Sequence, residues 1–370
     1  MTLHTDIPTR SALERLLGTR GEPCVSIYLA TSPIPQDAQR ARIALKNLAA
    51  DAAGQLEQVE TERGVVPELR DALDDLIEDD DYWAEQARSL AIFASPAGVR
   101  TFRLPNRLRD AVEVGDRFYV KPLLRAVTFP QAGFVLALAA GSVRLVEVLH
   151  EGPPFTVDVP GLPTDAATAS GNLDRSPSAR FIGAEGQKVR LRQYARKVDQ
   201  ALRGVLTGLD LPLILAAPEP LNSIYRSLSS YPHLVEDGLR GSPEGMSDQE
   251  LTAAARTVLD EVHARQLSAM HDLFRLRFAQ DRASTDLTTI ARAATYGAVD
   301  TLIADIDEKV PGRVDEETGA VAFAVDDASS YGVLDEIARR VLMFGGRVFA
   351  VRRPDVPDGA PAAAILRHAL

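Results

Sequence analysis

The chain predicts an α/β fold built from more than one domain. Short apolar runs of strand character alternate with helix-period segments from one end of the 370 residues to the other. Its composition, 45% hydrophobic and 25% charged, is that of ordinary globular proteins. The length exceeds what one hydrophobic core usually supports, so two or three domains are expected.

In the first third, Cys24-Val25-Ser26-Ile27-Tyr28-Leu29 predicts a strand. A long helix is expected over about Gln36 to Glu62, with Ile43, Leu45, Leu48 and Leu56 as its apolar positions. Glu68 to Ile77 predicts a second helix, ending in the acid run Glu78-Asp79-Asp80-Asp81. Strands are expected at Leu90 to Ala94 and at Val99 to Leu104. The segment Phe129-Pro130-Gln131-Ala132-Gly133 punctuates the chain and marks a domain boundary.

The middle third opens with strands Phe134 to Ala139 and Val143 to Leu149, joined by Ala140-Gly141-Ser142, and a third at Phe155 to Val159. A polar loop of small residues, Gly161 to Ile182, leads into a basic helix. Beyond it come a strand (Leu213 to Ala216), a short helix (Leu221 to Ser227) and a long helix ending near Ala279. The capping box Ser247-Asp248-Gln249-Glu250 starts that long helix.

The last third reads as a helix (Asp286 to Tyr296), a strand (Thr301 to Ala304), a hairpin around Glu317-Thr318-Gly319, a helix (Val333 to Met343) and a strand (Arg347 to Val351). Gly345-Gly346 has the composition of a helix C-cap. Ser284 to Leu370 is expected to form a compact unit with its own apolar core, its helices contributing Leu287, Ile290, Ala294, Leu334, Ile337 and Val341.

The single cysteine, Cys24, allows no internal disulfide, and its apolar surroundings suggest a buried small residue. The polar N-terminus and the absence of any run near ~18 apolar residues predict a cytoplasmic protein with no membrane partner. Standard catalytic signatures are absent: there is no phosphate loop, His-Glu-x-x-His, Cys-x-x-Cys or Gly-x-Ser-x-Gly. His263 and His271 lie eight apart on one helix, too far for an i, i+4 metal pair, and neither metal nor cofactor is expected. The acidic clusters read as solvated helix ends, and Tyr231-Pro232-His233 as a rigid surface turn.

One segment departs from the acidic character of the chain, whose formal charge is −11. Arg175 to Arg203 carries eight Lys or Arg and two acids. Within it the glycine-rich turn Gly183-Ala184-Glu185-Gly186-Gln187 runs into the basic helix. Leu191, Tyr194, Val198, Leu202 and Val205 form that helix's apolar stripe, and Lys188, Arg192 and Arg196 fall largely off it. A solvated face would mix signs, whereas only Asp199 dilutes the charge here. Arg175 and Arg180 extend the patch into the preceding loop. A polyanionic partner is expected, and RNA fits better than DNA because the chain as a whole is acidic. The candidate RNA-binding residues are Arg175, Arg180, Gly186, Gln187, Lys188, Arg190, Arg192, Arg196 and Lys197.

Gly183-Ala184-Glu185-Gly186-Gln187-Lys188-Val189-Arg190-Leu191-Arg192 resembles the central loop of archaeal and eukaryotic class-1 release factors, where a Gly-Gly-Gln turn precedes an Arg-rich helix. Tyr296-Gly297-Ala298-Val299-Asp300-Thr301-Leu302-Ile303, Gly345-Gly346 and Ala364-Ile365-Leu366-Arg367 resemble the third domain of those factors and of Pelota. Ser230-Tyr231-Pro232-His233-Leu234 and Cys24 to Leu29 resemble the bacterial archaeo-eukaryotic-type release factor family.

The resemblance implies three domains, at residues 1–130, 131–282 and 283–370. The central one is RNase-H-like and carries the basic loop-helix; the last is akin to kink-turn-binding ribosomal proteins. It implies binding in the ribosomal A site, through rRNA and the tRNA site, with a translational GTPase as a further partner. In release factors the backbone N–H of the motif glutamine stabilises the oxyanion as water attacks the peptidyl-tRNA ester. Here Gln187 and Gly186 match that motif, but Glu185 replaces its first glycine. That residue restricts the backbone and sets a carboxylate near a developing anion, which opposes hydrolysis. The expected function is therefore rescue or hibernation of stalled or idle ribosomes without peptide release. A peptidyl-tRNA hydrolase using Gln187, and a stress-response regulator that lost the ribosome, are the alternatives.

Overall fold

A computed structural model describes the chain except residues 1, 2, 4, 21, 22, 59–64, 129–131, 170–183, 306, 307, 309, 325–331 and 370. It divides into two compact units, Met1–His4 with Gln131–His263, and Thr5–Pro130 with Ala264–Leu370. Helices and strands alternate in both, the mixed α/β class expected.

The N-terminal part of the larger unit runs α1 (Arg10–Gly18), β1 (Cys24–Ala30), α2 (Ala38–Gln58), α3 (Val65–Glu78), α4 (Asp80–Ala84), β2 (Ser89–Ser95), β3 (Gly98–Leu104), β4 (Ala111–Gly115) and α5 (Lys121–Thr128). Its sheet has the order β3-β2-β1-β4 and is antiparallel throughout. Strand alternation sends Val25, Ile27 and Leu29 to one face, where they meet Leu45 and Leu56 of α2, Leu69 and Leu73 of α3, and Trp83. Ile43 is 57% exposed, so it belongs to the outer face of α2 and not to its apolar stripe. The acid run resolves into local contacts: Asp79 caps α4 by accepting from the Tyr82 amide at 2.9 Å, and Asp80 pairs with Arg42 at 2.6 Å.

The smaller unit contains β5 (Ala132–Leu138), β6 (Val143–Leu149), β7 (Phe155–Val157), α6 (Ala166–Ala169), α7 (Ala184–Leu206), β8 (Leu213–Ala217), α8 (Leu221–Leu228), β9 (Leu239–Arg240) and the first half of α9 (Asp248–Phe278). Its sheet has the order β7-β6-β5-β8-β9. The β7–β6–β5 part is antiparallel, whereas β5, β8 and β9 run parallel. Val135 and Ala137 face Leu251, Ala255 and Val258 of α9. Phe134, Leu136 and Leu138 point the other way, and the Tyr194 hydroxyl of α7 donates to the Ala139 carbonyl at 3.0 Å. The capping box of α9 is formed as expected: the Ser247 amide donates to Glu250 Oε2 at 2.8 Å, and the Glu250 amide to Ser247 Oγ at 3.3 Å.

The rest of the larger unit adds β10 (Ala283–Ser284), α10 (Leu287–Thr295), β11 (Val299–Asp305), the hairpin β12 (Gly312–Val314) and β13 (Val321–Phe323), α11 (Val333–Met343), β14 (Arg347–Val351) and β15 (Ala362–Leu366). Its sheet has the order β10-β15-β11-β14, with β11 and β14 parallel. Gly345 ends α11 at φ 75°, and the Gly346 amide returns to the Val341 carbonyl at 2.7 Å, a helix stop that a side chain at 345 would strain.

The apolar core expected of Ser284 to Leu370 alone is shared. Ile290, Leu302, Ile337 and Ala364 lie in one cluster with Leu16, Tyr28, Phe93 and Leu123. Ala291, Ala293, Ala294 and Ala298 contribute little side-chain volume to this cluster, and the larger residues of β1, β2 and α5 complete it. Polar groups join the same parts. Glu336, 5% exposed, accepts from Arg340 Nε at 2.7 Å, from both nitrogens of the Arg339 fork, and from Arg117 at 3.1 Å. Arg340, itself 4% exposed, also donates to the Val314 carbonyl at 3.0 Å, the Asp315 carbonyl at 2.9 Å and the Thr295 hydroxyl.

Candidate nucleic-acid interface

The basic helix is α7, Ala184–Leu206. Its stripe is buried as the periodicity predicts, with Leu191, Tyr194, Val198, Leu202 and Val205 all below 8% exposure. This fixes which face remains outside. Gln187, Lys188, Arg190, Arg192, Arg196 and Lys197 are exposed. Among the described residues, none of those five cations has an ion-pair partner. Lys188, Arg192 and Arg196 follow one another at intervals of four along one flank, with Arg190 and Lys197 seven apart on the other. The helix thus presents concentrated positive charge to solvent, against the sign of the whole chain.

Where α7 begins differs from expectation. Ala184, Glu185, Gly186 and Gln187 form its first turn rather than a glycine-rich loop. Alanine, glutamate, glutamine and lysine are strong helix formers, and one glycine costs only about 1 kcal/mol against them. Gly186 is buried and Gln187 exposed. Gln187 is the fourth residue of the helix, so its backbone N–H runs along the helix axis toward the N-terminal end. Gly183, Arg175 and Arg180 lie outside the described residues.

The acid of the helix has a different task. Asp199 is 4% exposed and accepts from the Ser230 amide and the Ser230 hydroxyl, both at 3.0 Å, while Arg203 lies 3.0 Å away. It ties α7 to the turn Ser230-Tyr231-Pro232-His233 rather than neutralising the exposed cations. The Tyr231 hydroxyl donates to the carbonyls of Leu211 at 2.6 Å and Leu209 at 3.0 Å. Burial pushes its pKa up to about 12. These hydrogen bonds brace the turn from both sides. Sequence reading missed the role of Asp199, and the only available signal was a lone acid one residue from the apolar stripe.

Among the described residues no group of three or more His, Cys, Asp or Glu is placed to hold a metal, and no helix is long and apolar enough to cross a membrane. What the basic face can do chemically is hold a polyanion.

No curated protein matches the sequence. Solved structures with similarity include the Saccharomyces cerevisiae Dom34, described as a translation termination-like factor that interacts with Hbs1, at 13% identity over 74% of each chain and a TM-score of 0.43. A ribosome-bound archaeal Pelota, described together with ABCE1, has 13% identity over 99% of this chain and 96% of its own, also with a TM-score of 0.43. The archaeal translation termination factor aRF1 has 14% identity over 98% and 99%, with a TM-score of 0.25. The family model of bacterial archaeo-eukaryotic release factor family 11 matches residues 130–265, the stretch that holds α7 and the sheet beneath it. Over that stretch the chain is similar to bacterial archaeo-eukaryotic release factor family 11.

Proposed function

We propose that the protein is a ribosome-associated factor that occupies the A site of stalled or idle ribosomes through rRNA contacts of α7 and releases no peptide. The observation that carries this reading is the row of exposed cations that have no ion-pair partner among the described residues, set on the segment that matches the release-factor family. Cations held by protein carboxylates would have to break those pairs before meeting RNA phosphates; among the described residues, no carboxylate holds these five. The helical placement of Gly186 and Gln187, with Glu185 before them, supports binding without ester hydrolysis. A factor that fills the site without releasing the chain suits rescue or hibernation under stress.

Three domains, 1–130, 131–282 and 283–370, belong to the same proposal, supported by a separate sheet within each segment, with the first and last packed on one shared core. So does a translational GTPase as partner of the last segment.

The test uses ribosomes that carry peptidyl-tRNA and follows pelleting and released peptide together. Protein should pellet at low salt and detach as salt rises, because Lys and Arg contacts to phosphate displace condensed counterions. Released peptide should stay near background, and Gln187→Ala should leave it there. Robust release abolished by that substitution would make the protein an esterase. A gain of release in Glu185→Gly would locate the block at that residue.

A further inference from the structure

The carboxyl end of β1, the first turns of α2, the residue before β2 and the segment after β3 enclose a cleft of about 390 Å3. That volume lies within the range for small-ligand pockets. The backbone around it is tied together. The Thr31 amide donates to the Arg88 carbonyl at 2.9 Å, and the Thr31 hydroxyl to the Ala87 carbonyl at 3.0 Å. The Ala30 amide donates to Asp110 Oδ1 at 2.7 Å, and the Leu108 amide to Ser89 Oγ at 2.8 Å. The cleft is therefore preformed, and its charged side chains are within reach of solvent. Arg40, Arg107 and Asp110 are exposed, and Arg88 and Asp37 are half-buried.

Arg40, Arg88 and Arg107 share this lining with two acids, Asp37 and Asp110. Arginines beside acids at turn spacing commonly pair with them. Asp37 stands three residues before Arg40, yet the two do not pair. Among the described residues neither Arg40 nor Arg107 has a hydrogen bond or an ion pair from its guanidinium. Among the same residues the Asp37 carboxylate accepts no hydrogen bond, and Asp110 commits only Oδ1. Donors and acceptors of opposite charge are thus left uncommitted in one cavity.

We infer that this cleft binds a small phosphorylated sugar. The mixed lining selects that class. Guanidinium forks from three arginines carry more N–H donors than one carboxylate can accept, whereas a phosphate monoester presents three strong acceptor oxygens. The two carboxylates disfavour a polyanion, but they accept from hydroxyl groups, which a sugar supplies without added charge. No aromatic side chain is among the described residues of the lining, so a nucleobase finds no ring to stack on. That separates a sugar phosphate from a nucleotide or an RNA strand. Small residues at Ala30, Ala41 and Ala44 leave the volume open. The site owes nothing to α7, and its occupancy makes the protein responsive to a small metabolite whether or not it meets the ribosome.

The test titrates full-length protein in a calorimeter with ribose-5-phosphate, glucose-6-phosphate, ribose, inorganic phosphate and AMP. The better of the two sugar phosphates should bind about tenfold or more tightly than ribose or inorganic phosphate, because only it engages both the arginines and the acids. AMP should gain nothing from its base. Arg40→Gln and Arg107→Gln should each weaken the sugar phosphate about tenfold. Arg109→Gln, at an exposed position outside the lining, should leave it unchanged. Asp37→Ala should loosen the sugar phosphate yet tighten inorganic phosphate, since that carboxylate holds a hydroxyl but repels an anion. No binding of either sugar phosphate at millimolar concentration, or affinity equal to that of inorganic phosphate, would overturn the inference. So would tighter binding of AMP, which would assign the cleft to a nucleotide. An equal loss in Arg109→Gln would reduce the cleft to diffuse surface charge.

Discussion

Exchanging Arg190, Arg192, Arg196 and Lys197 together for glutamine is expected to weaken ribosome binding on the order of a hundredfold near physiological salt. The slope of log K against log salt should fall in magnitude by about 3, since each lost phosphate contact removes somewhat under one released counterion. All four side chains are exposed, and among the described residues none has a hydrogen bond or ion pair to another element. The variant should therefore keep its thermal midpoint, because surface changes of this kind cost within about 0.5 kcal/mol each. Cosedimentation across a salt series, paired with a melting curve, separates lost contact from lost structure. Equal affinity for variant and wild type would remove α7 from the interface.

Arg340→Ala should produce the largest loss of stability. The substitution takes away donors to the buried Glu336 and Val314 carbonyl and to the part-buried Thr295 hydroxyl and Asp315 carbonyl of the larger unit. It also leaves Glu336 buried with fewer partners. Breaking a buried pair of this type costs about 3–5 kcal/mol, enough to lower the midpoint by roughly 10 °C. The pH dependence gives a second reading. Burial alone would raise the Glu336 pKa, but the hydrogen bonds of Arg339 and Arg340, with their charge, outweigh it and hold the carboxyl below its usual range. A carboxyl depressed in the folded state contributes stability in full above its unfolded pKa and loses it as pH falls through the folded value. Wild-type protein should therefore lose stability on acidification through that window, and Arg340→Ala should lose less there. An unchanged midpoint in the variant would show that the network is dispensable.

The parts of the fold that sequence patterns reveal are those set by local chemistry. The ends of α11, Val333–Met343, follow from its apolar spacing and the glycines after it. The start of α9 follows from Ser247 and Glu250, and β1 from six residues that are nearly all β-formers. Elements with mixed composition were not legible. β4, Ala111–Gly115, is only half-buried because it is a sheet edge, and its register comes from β1. α5 draws its place from tertiary contact, with Lys121 reaching the Glu308 carbonyl, nearly two hundred residues on. β15 reads as alanine-rich and shows itself only through pairing with β11.

The site divides the same way. Periodicity along α7 separates buried from exposed positions residue by residue, so its cationic face is legible in the amino-acid order alone. The helical state of Ala184 to Gln187 is not, because a pair of glycines three apart suggests a turn while the residues between favour a helix. The cleft beside the start of α2 depends on Arg40, Arg88 and Arg107, which come from three separate segments. No spacing rule links them. Asp199 and Glu336 likewise acquire meaning only when the partners that surround them are known.

The most direct test of the central claim is a photo-crosslink from the basic face itself. Val189 is 52% exposed between Lys188 and Arg190, so a photoreactive phenylalanine analogue there should leave the fold and the charges intact. Irradiated on ribosomes with an empty A site, the protein should crosslink to rRNA of that site. The crosslink should vanish when a tRNA fills the site and when the four neighbouring cations are glutamine. Crosslinks confined to ribosomal proteins, or a crosslink indifferent to tRNA, would contradict the account.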